Sequence, residues 1–291
     1  MNDLYAAVDA IVAEDGISVT VACESLEICR SAYYAWRSAP RTVSEEADME
    51  LLPIVKMIFH RHKRRYGARR VAEELRDLGY CCGVRRASKL LKTLGLQAIQ
   101  PKSYKPRTTE SSHRLGYSPN LLLQLEEPDG VDQLWVGDIT YVPIFGGRFL
   151  YLALMMDRYS RCIIGWRIRD DMTESLVIDT LKQSIRRRQP APGLIHHTDR
   201  GGQYAGKSYR NILRRAHCKQ SMSRAGDCYD NAFMESCFGT IKTELEMTEY
   251  QNKQEAVKEI KSYVAYYNHD RKHSSLGYLT PTQFESLIAE T

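Results

Sequence analysis

Three acidic side chains stand where an acid is costly to place. Asp138 interrupts the apolar run Leu134-Trp-Val-Gly-Asp-Ile-Thr-Tyr-Val142, and Asp199 ends the run that begins at Leu194 and Ile195. Glu235 flanks Met234, Phe238, Ile241 and Leu245, which form one stripe of a helical pattern. A carboxylate among apolar neighbours is destabilising unless it is paired or ligates a cation. Taken singly, each is also compatible with an acid facing solvent at a strand end or helix margin. On a helix of 3.6 residues per turn, Asn231, Glu235 and Lys242 align along the flank of that stripe, so a carboxamide, a carboxylate and an ammonium share one edge. Oxygen donors without His or Cys at ligand spacing favour a hard divalent ion, Mg²⁺ or Mn²⁺, over zinc. His196 and His197 invite zinc, but neighbours on a strand point to opposite faces and do not reach one ion together. Two hard ions about 3.5–4 Å apart suit an in-line phosphoryl displacement, which makes cleavage or transfer of nucleic-acid strands the matching chemistry.

The elements that must position these residues form a mixed α/β pattern. Strands are predicted at 134–144, 149–156 and 161–168, the first two joined by a hairpin at Gly146-Gly147. A helix follows at 173–188 with Thr173 as its N-cap, then a short buried strand at 193–198 and a helix at 206–217. A strand at 219–222 and a long helix at 231–246 complete a unit spanning 131–250, followed by a helix and tail over 251–291. Asp157, after the second strand, reads as a turn acid beside Arg158.

Upstream the chain is helical. Residues 1–40 hold three short helices, at 3–14, 18–25 and 30–37, with Gly16 as a stop. A helix-turn-helix carrying Arg30, Ser31, Tyr33, Tyr34 and Arg37 on its last helix fits this order. A three-helix packing with no DNA contact fits it equally. A second helical unit, 44–99, opens with a run at 44–62 interrupted by Pro53. Its next helix holds Val71, Leu75 and Leu78 on one face, and its third, at 84–94, sets Val84, Ala87, Leu91 and Leu94 against Arg85, Lys89 and Lys92.

Between His60 and Arg107 there are fourteen Lys or Arg and three acids, whereas the whole chain of 291 residues has a formal net charge of only +5. The basic surface is therefore local. Arg64, Arg65, Arg69 and Arg70 extend it from the third helix, and phosphate binding by counterion exchange is its direct use, with a solvated face as the competing reading. Residues 100–130 are a linker, in which Lys102, Lys105 and Arg107 either track a phosphate backbone or decorate a tether. The eight cysteines show no C-x-x-C pair or framework spacing, as expected for reduced thiols. No stretch approaches the ~20 apolar residues of a membrane helix, and Met1 leads into an acidic amphipathic stretch and not a signal peptide. A soluble cytoplasmic protein is the expectation.

With these residues in view, the sequence resembles the catalytic, second-frame protein of insertion-sequence transposases of the "insertion sequence three" family, in the DDE transposase and retroviral integrase superfamily. Trp135-Val-Gly-Asp138-Ile-Thr-Tyr resembles the first motif, and His197-Thr-Asp199-Arg-Gly-Gly-Gln-Tyr204 the second. Asp230-Asn231-Ala-Phe-Met-Glu235-Ser, with Lys242 beyond it, resembles the third, and 35 residues separate Asp199 from Glu235. The segment Tyr267-Asn-His-Asp-Arg271-Lys-His273-Ser-Ser-Leu-Gly277-Tyr-Leu-Thr-Pro281 resembles the closing signature. Thr198, Cys237 and Asp227-Cys228-Tyr229 depart from the family pattern without removing a ligand.

The resemblance implies an RNase H-like catalytic domain with a mixed five-stranded sheet and flanking helices, preceded by small all-α DNA-binding domains. It implies a two-metal mechanism in which Asp138 bridges both ions and Asp199 and Glu235 each hold one. Lys242 would grip a phosphate, and Asn231, Tyr267, Asn268, Arg271 and His273 would support the site or contact DNA. The implied partners are double-stranded DNA, at the element's terminal inverted repeats and at the target, and further copies of the chain in a synaptic complex. Family members often work as a fusion with an upstream-frame protein carrying a helix-turn-helix and leucine zipper, and no sustained heptad is present in this chain. A nuclease that cuts without joining, and a repressor that has lost catalysis, are the competing functions; the intact carboxylate set argues against the repressor.

Overall fold

The computed structural model describes residues 2–38, 42–100, 116–124, 127–224, 232–246 and 249–290. Asn231, Lys102, Lys105 and Arg107, singled out above, lie outside the described residues. The centre of the molecule is one sheet of five strands: β1 (Leu134–Ile144), β2 (Arg148–Asp157), β3 (Ile163–Arg169), β4 (Ile195–Thr198) and β5 (Lys219–Met222). Their order is β3-β2-β1-β4-β5. The β1–β2 and β2–β3 pairs are antiparallel, whereas β4 pairs in parallel with both β1 and β5.

A mixed sheet with a parallel half has to be covered on both faces. Helices α7 (Glu174–Arg188), α8 (Gly202–Ala205) and α9 (Lys207–Arg215) pack against Trp135, Met155 and Ile164 on one face. Helices α10 (Ala232–Glu244) and α11 (Lys253–His269) cover the other through Met234, Phe238, Ile260 and Tyr263 against Val136, Val142, Leu152 and Leu154. The alternation of β1 thus sends Val136, Val142 and Ile144 toward the α10–α11 layer and Trp135 toward the other.

Two helical units precede the sheet. Helices α1 (Asn2–Asp15), α2 (Val19–Ser25) and α3 (Arg30–Ser38) close on Tyr5, Val8, Cys23 and Tyr33. Helices α4 (Val43–Arg61), α5 (Ala68–Asp77) and α6 (Val84–Thr93) have a core of their own that includes Val55, Phe59, Val71, Leu75 and Leu90. Thr42 and Glu45 cap α4 reciprocally, which satisfies two of its first orphan donors. The predicted stripes of this unit shift slightly. Leu78 and Val84 are exposed because α5 ends at Asp77 and Val84 is the first residue of α6, while Leu90 takes the core position.

The tail expected after α11 is in part a further helix, α12 (Pro281–Ala289), begun by a Thr280–Gln283 capping box with proline in its first turn. It is pinned to the sheet by charge. Arg188 at the end of α7 donates to both oxygens of Glu285 and to both of Asp132, and Ser160 Oγ donates to Glu285 at 2.6 Å. Asp157 is not a solvent-facing turn acid. It is fully buried at the end of β2, accepts the backbone N–H groups of Asp132 and Ser160 and the Ser160 hydroxyl, and has its pKa raised by that burial.

Packing density sets a testable contrast between two glycines. A Cβ at Gly165 on β3 would run into Ser184 Oγ and lie 3.0 Å from Thr180 O on α7, so Gly165→Ala is expected to destabilise the chain by about 1–3 kcal/mol. Gly239, in the exposed middle of α10, has nothing near its missing Cβ, and Gly239→Ala is expected to stabilise by about 1 kcal/mol. Urea unfolding of both variants reads the opposite signs.

Candidate active site

The parallel pairing of β1 with β4 places Gly137 opposite Thr198, so the next residues, Asp138 and Asp199, stand side by side one step beyond the last paired position. Each carboxylate is oriented by the backbone: Asp138 Oδ1 accepts the Ile139 N–H at 2.7 Å and Asp199 Oδ1 accepts the Gly201 N–H at 2.9 Å. Gly137 sits in a close approach, since a Cβ there would lie 3.0 Å from the His196 ring. Tyr204, on α8, has its phenol pKa raised by burial and then by the charges of Asp138 and Asp199, which puts this neutral hydroxyl within electrostatic reach of both acids. The motif around Asp199 contains Tyr204, but its role is visible only in three dimensions.

Helix α10 supplies the third side. The half-buried Lys242 ammonium has its pKa lowered by burial, with Asp138 opposing the shift, which puts the two charges within electrostatic reach of each other. Glu235 lies in the first turn of α10 and is exposed. The structure therefore sets Asp138 beside Asp199, with Lys242 in electrostatic reach of Asp138, and leaves Glu235 exposed on the same helix as Lys242. Among the described residues, no three His, Cys, Asp or Glu side chains converge as a metal-holding group. Two adjacent hard oxygen donors with backbone-held rotamers nevertheless suit a divalent cation of the Mg²⁺ or Mn²⁺ kind.

The two histidines beside Asp199 are framework. His196 Nε2 meets the Tyr209 hydroxyl at 2.6 Å, and His197 bonds to Ser221 Oγ at 2.8 Å and Ser223 Oγ at 3.2 Å, each ring on its own face of the sheet. Burial pushes the His196 pKa down to about 3, so it is neutral across the physiological range.

Four of the basic residues expected to meet DNA are engaged with other parts of the protein, Arg271 and His273 buried and Arg65 and Arg70 half-buried. The Arg271 guanidinium grips the Glu244 carboxylate through Nε at 2.9 and 3.0 Å and Nη2 at 2.8 Å, both side chains being almost fully buried. His273 accepts from Arg271 Nη1 at 3.1 Å, and its pKa is lowered to about 2 by burial and then by Arg271. Arg70 donates to the Lys272 carbonyl at 3.0 Å, and Arg65 to the Glu244 carbonyl at 3.0 Å. Asn268 is likewise structural, pairing its amide with both the N–H and the C=O of Ile163, and Tyr267 is buried in the core beneath α10. By contrast Arg64, Arg69, Arg85, Lys89 and Lys92 are exposed, with Arg64 3.7 Å from Glu246 and Lys89 3.1 Å from Asp48.

Comparison with known proteins matches this architecture. Residues 128–228 match an integrase core domain family, residues 216–281 a second integrase core domain family, and residues 45–104 an HTH-like domain. The 31 kDa protein of insertion element IS600 from Shigella sonnei is 39% identical over 264 residues, covering 90% of this chain and 96% of its own. Transposase InsF for insertion sequence IS3A, from Escherichia coli strain K12, is 37% identical over 273 residues, covering 92% and 94%. The chain belongs to the IS3 family of transposases. A simian T-cell lymphotropic virus intasome chain is similar at a TM-score of 0.46 and 16% identity, over 79% of this transposase and 73% of that chain. The transposase is thus a DDE-type polynucleotidyl transferase built on an integrase core with an HTH-like domain before it. None of the described helices is long and apolar enough to cross a membrane.

The two neutral histidines make the transposase sensitive to acid in a defined window. The unfolded chain protonates His196 and His273 below about pH 6.5, whereas the folded chain resists protonation down to about 3 and 2. The unfolded state therefore binds more protons, and stability is expected to fall as pH drops from 6.5, by up to about 1.4 kcal/mol per pH unit for each histidine. Urea titrations between pH 7 and 5 measure this slope before carboxylate protonation enters. A flat profile would contradict the buried neutral assignment.

Proposed function

We propose that this transposase cuts DNA beside the terminus of its element and joins the freed end to target DNA, using Asp138, Asp199 and Glu235 to hold two Mg²⁺ or Mn²⁺ ions. The observation that carries the reading is the adjacency of Asp138 and Asp199 at the end of the parallel β1–β4 pair, inside the segment that matches an integrase core. When bound, such ions polarise the scissile phosphate and neutralise charge on the entering and leaving oxygens.

The chain's own residues bind and orient. Asp138 and Asp199 present oxygens whose planes are set by the Ile139 and Gly201 N–H groups. Lys242, in electrostatic reach of Asp138, has the charge to grip a non-bridging phosphate oxygen, and Tyr204 offers a neutral hydroxyl in electrostatic reach of both aspartates. Water attacks phosphorus in the first step and the 3′ oxygen leaves, giving a 3′ hydroxyl and a 5′ phosphate. In the second step that hydroxyl attacks a target phosphodiester, one P–O bond forms as another breaks, and a target 3′ hydroxyl is released. The exposed basic set Arg64, Arg69, Arg85, Lys89 and Lys92 binds the duplex of the element end, and Asn231 adds a further DNA contact. Handling two ends calls for more than one copy of the chain in a synaptic complex. An upstream-frame helix-turn-helix and leucine-zipper protein, separate or fused, is a further partner.

Incubating the chain with labelled element ends and Mg²⁺ tests this against an Asp199→Asn variant. Cut and joined products that fall by roughly 10³-fold or more in the variant, with end binding retained, are expected if a lost ligand removes several kcal/mol of transition-state stabilisation. Cutting without joining would identify a nuclease. Tight binding with equal inertness in both chains would identify a repressor. For the DNA-binding assignment, Lys89→Ala with Lys92→Ala is expected to reduce the slope of log affinity against log salt by roughly 0.9 for each phosphate that is no longer neutralised. An unaltered slope would exclude these two lysines.

A further inference from the structure

The HTH-like unit is not tethered loosely to the catalytic core. It is set into it through a buried polar seam. The Tyr66 hydroxyl donates to the Asp270 carbonyl at 3.0 Å and accepts the Lys272 N–H at 2.8 Å, so one side chain of the helical unit satisfies two backbone groups of the closing segment. Lys272 returns the contact, its ammonium lying 3.2 Å from Glu74 and 2.5 Å from Asp77 on α5. Tyr66, Lys272, Arg271 and Glu244 are all buried. The Arg65 guanidinium covers the rings of Tyr263 and Tyr266 at 5.0 and 4.6 Å.

The seam converges on Glu244, the last residue of α10. An acid at a helix C-terminus sits at the unfavourable end of the helix dipole. Here it is clamped by Arg271, approached by Arg70 Nη1 at 3.6 Å and bonded by the Tyr263 hydroxyl at 3.0 Å. Arg65 also donates to the Glu244 carbonyl, one of the four such groups a helix end leaves without an intrahelical partner. The helix that carries Glu235 and Lys242 is therefore capped from the helical unit. Tyr66, Glu244, Arg271 and Lys272 form the buried, fully paired centre of this seam, and groups so paired have discrete arrangements and do not slide.

We propose that Glu244 and Arg70 are positioning residues that lock the catalytic helix to the DNA-reading unit, so that the transposase measures a fixed distance from the bound end sequence to the cut. This rests on the end-cutting reading above. Neither residue touches the reacting atoms. They act through the placement of α10 relative to the exposed basic face of α6. DNA held on Arg85, Lys89 and Lys92 would then enter the catalytic edge at one offset only.

The test uses the full chain and element ends with one or two base pairs inserted between the stretch footprinted by the helical unit and the terminus. The unaltered chain is expected to bind these ends as before and either move its cut by the inserted length or stop cutting. Arg70→Ala is expected to keep its end affinity and to spread its cuts over several positions on every substrate, with Arg70→Lys restoring part of the single position. Tyr66→Phe removes only the bridging hydroxyl, leaves the ring in its core, and is expected to relax the cut site in the same direction if Arg70→Ala fails to fold. A cut that stays at the terminus at full rate despite the insertion overturns the proposal. Arg70→Ala with weakened end binding and an unmoved cut also overturns it, making Arg70 a DNA contact. Absence of any cutting by the unaltered chain on unaltered ends is a separate result, which sinks the end-cutting reading and this one with it.

Discussion

The parallel pairing of β1 with β4 is the constraint on which the site depends. Only four residues of β4 pair with β1, and beyond Gly137 and Thr198 the two strands part while β1 continues beside β2 to Ile144. Asp138 and Asp199 occupy the point of divergence. There the sheet stops bonding to itself on one side, and its backbone N–H groups turn back to the carboxylates, as the Ile139 and Gly201 contacts do. A parallel pair also demands a crossover and two covered faces, which accounts for α7 between β3 and β4 and for α10 and α11 on the opposite layer. Asp138 shares its face with Val136 and Val142, and that is why its electrostatic partner is a lysine of α10.

A second constraint is the cost of charge in so thoroughly covered a core. The molecule meets it by two routes. His196 and His273 stay neutral, the first against the Tyr209 hydroxyl and the second as an acceptor from Arg271. Glu244 and Arg271 are instead paired with each other, the guanidinium reaching both carboxylate oxygens. Such a pair contributes little net stability compared with apolar residues, yet leaving either partner alone in the interior is strongly unfavourable. What it supplies is uniqueness: α10, α11 and the helical unit have one arrangement in which every group of the pair is satisfied.

Much of this is legible in the chain. The strand at Leu134–Ile144 follows from local apolar pattern and turn residues, and α4, α5 and α6 follow from helical periodicity with boundaries shifted by a residue or two. Asp138 and Asp199 stand out because an acid in an apolar run is a local anomaly. What local pattern does not carry is the partner of a charged residue. Arg65, Arg70, Arg271 and His273 look in sequence like any other basic residues, and their acceptors lie 179 positions away for Arg65 and 202 for Arg70. Asp157 resembles a turn acid because its Ser160 donor is local, three residues on, whereas the Asp132 N–H that completes its burial comes from 25 positions away and is brought up only by the folded sheet. The helix at Pro281–Ala289 is short and looks like tail in sequence; its capping box is local, but its reason for docking, Arg188, is not.

Helix α10 joins these constraints. Glu235 and Lys242 are seven residues apart and lie on one line, whereas Glu244, nine residues beyond Glu235, falls on the opposite side of the helix. One side carries the proposed ligand Glu235 with Lys242 and the other meets the helical unit, while Met234, Phe238 and Ile241 between them fill the core. Glu235, in the first turn, sits at the end of the helix dipole that favours an acid, and it needs no partner to be stable there. Glu244 is at the end that disfavours one, and its arginines must come from elsewhere in the chain. The same residue type at the two ends of one helix is thus left open at the end where ligation is proposed and enclosed at the end where the two units meet. Electrostatics along a single helix axis separates the exposed acid at the end that favours it from the enclosed acid at the end that does not.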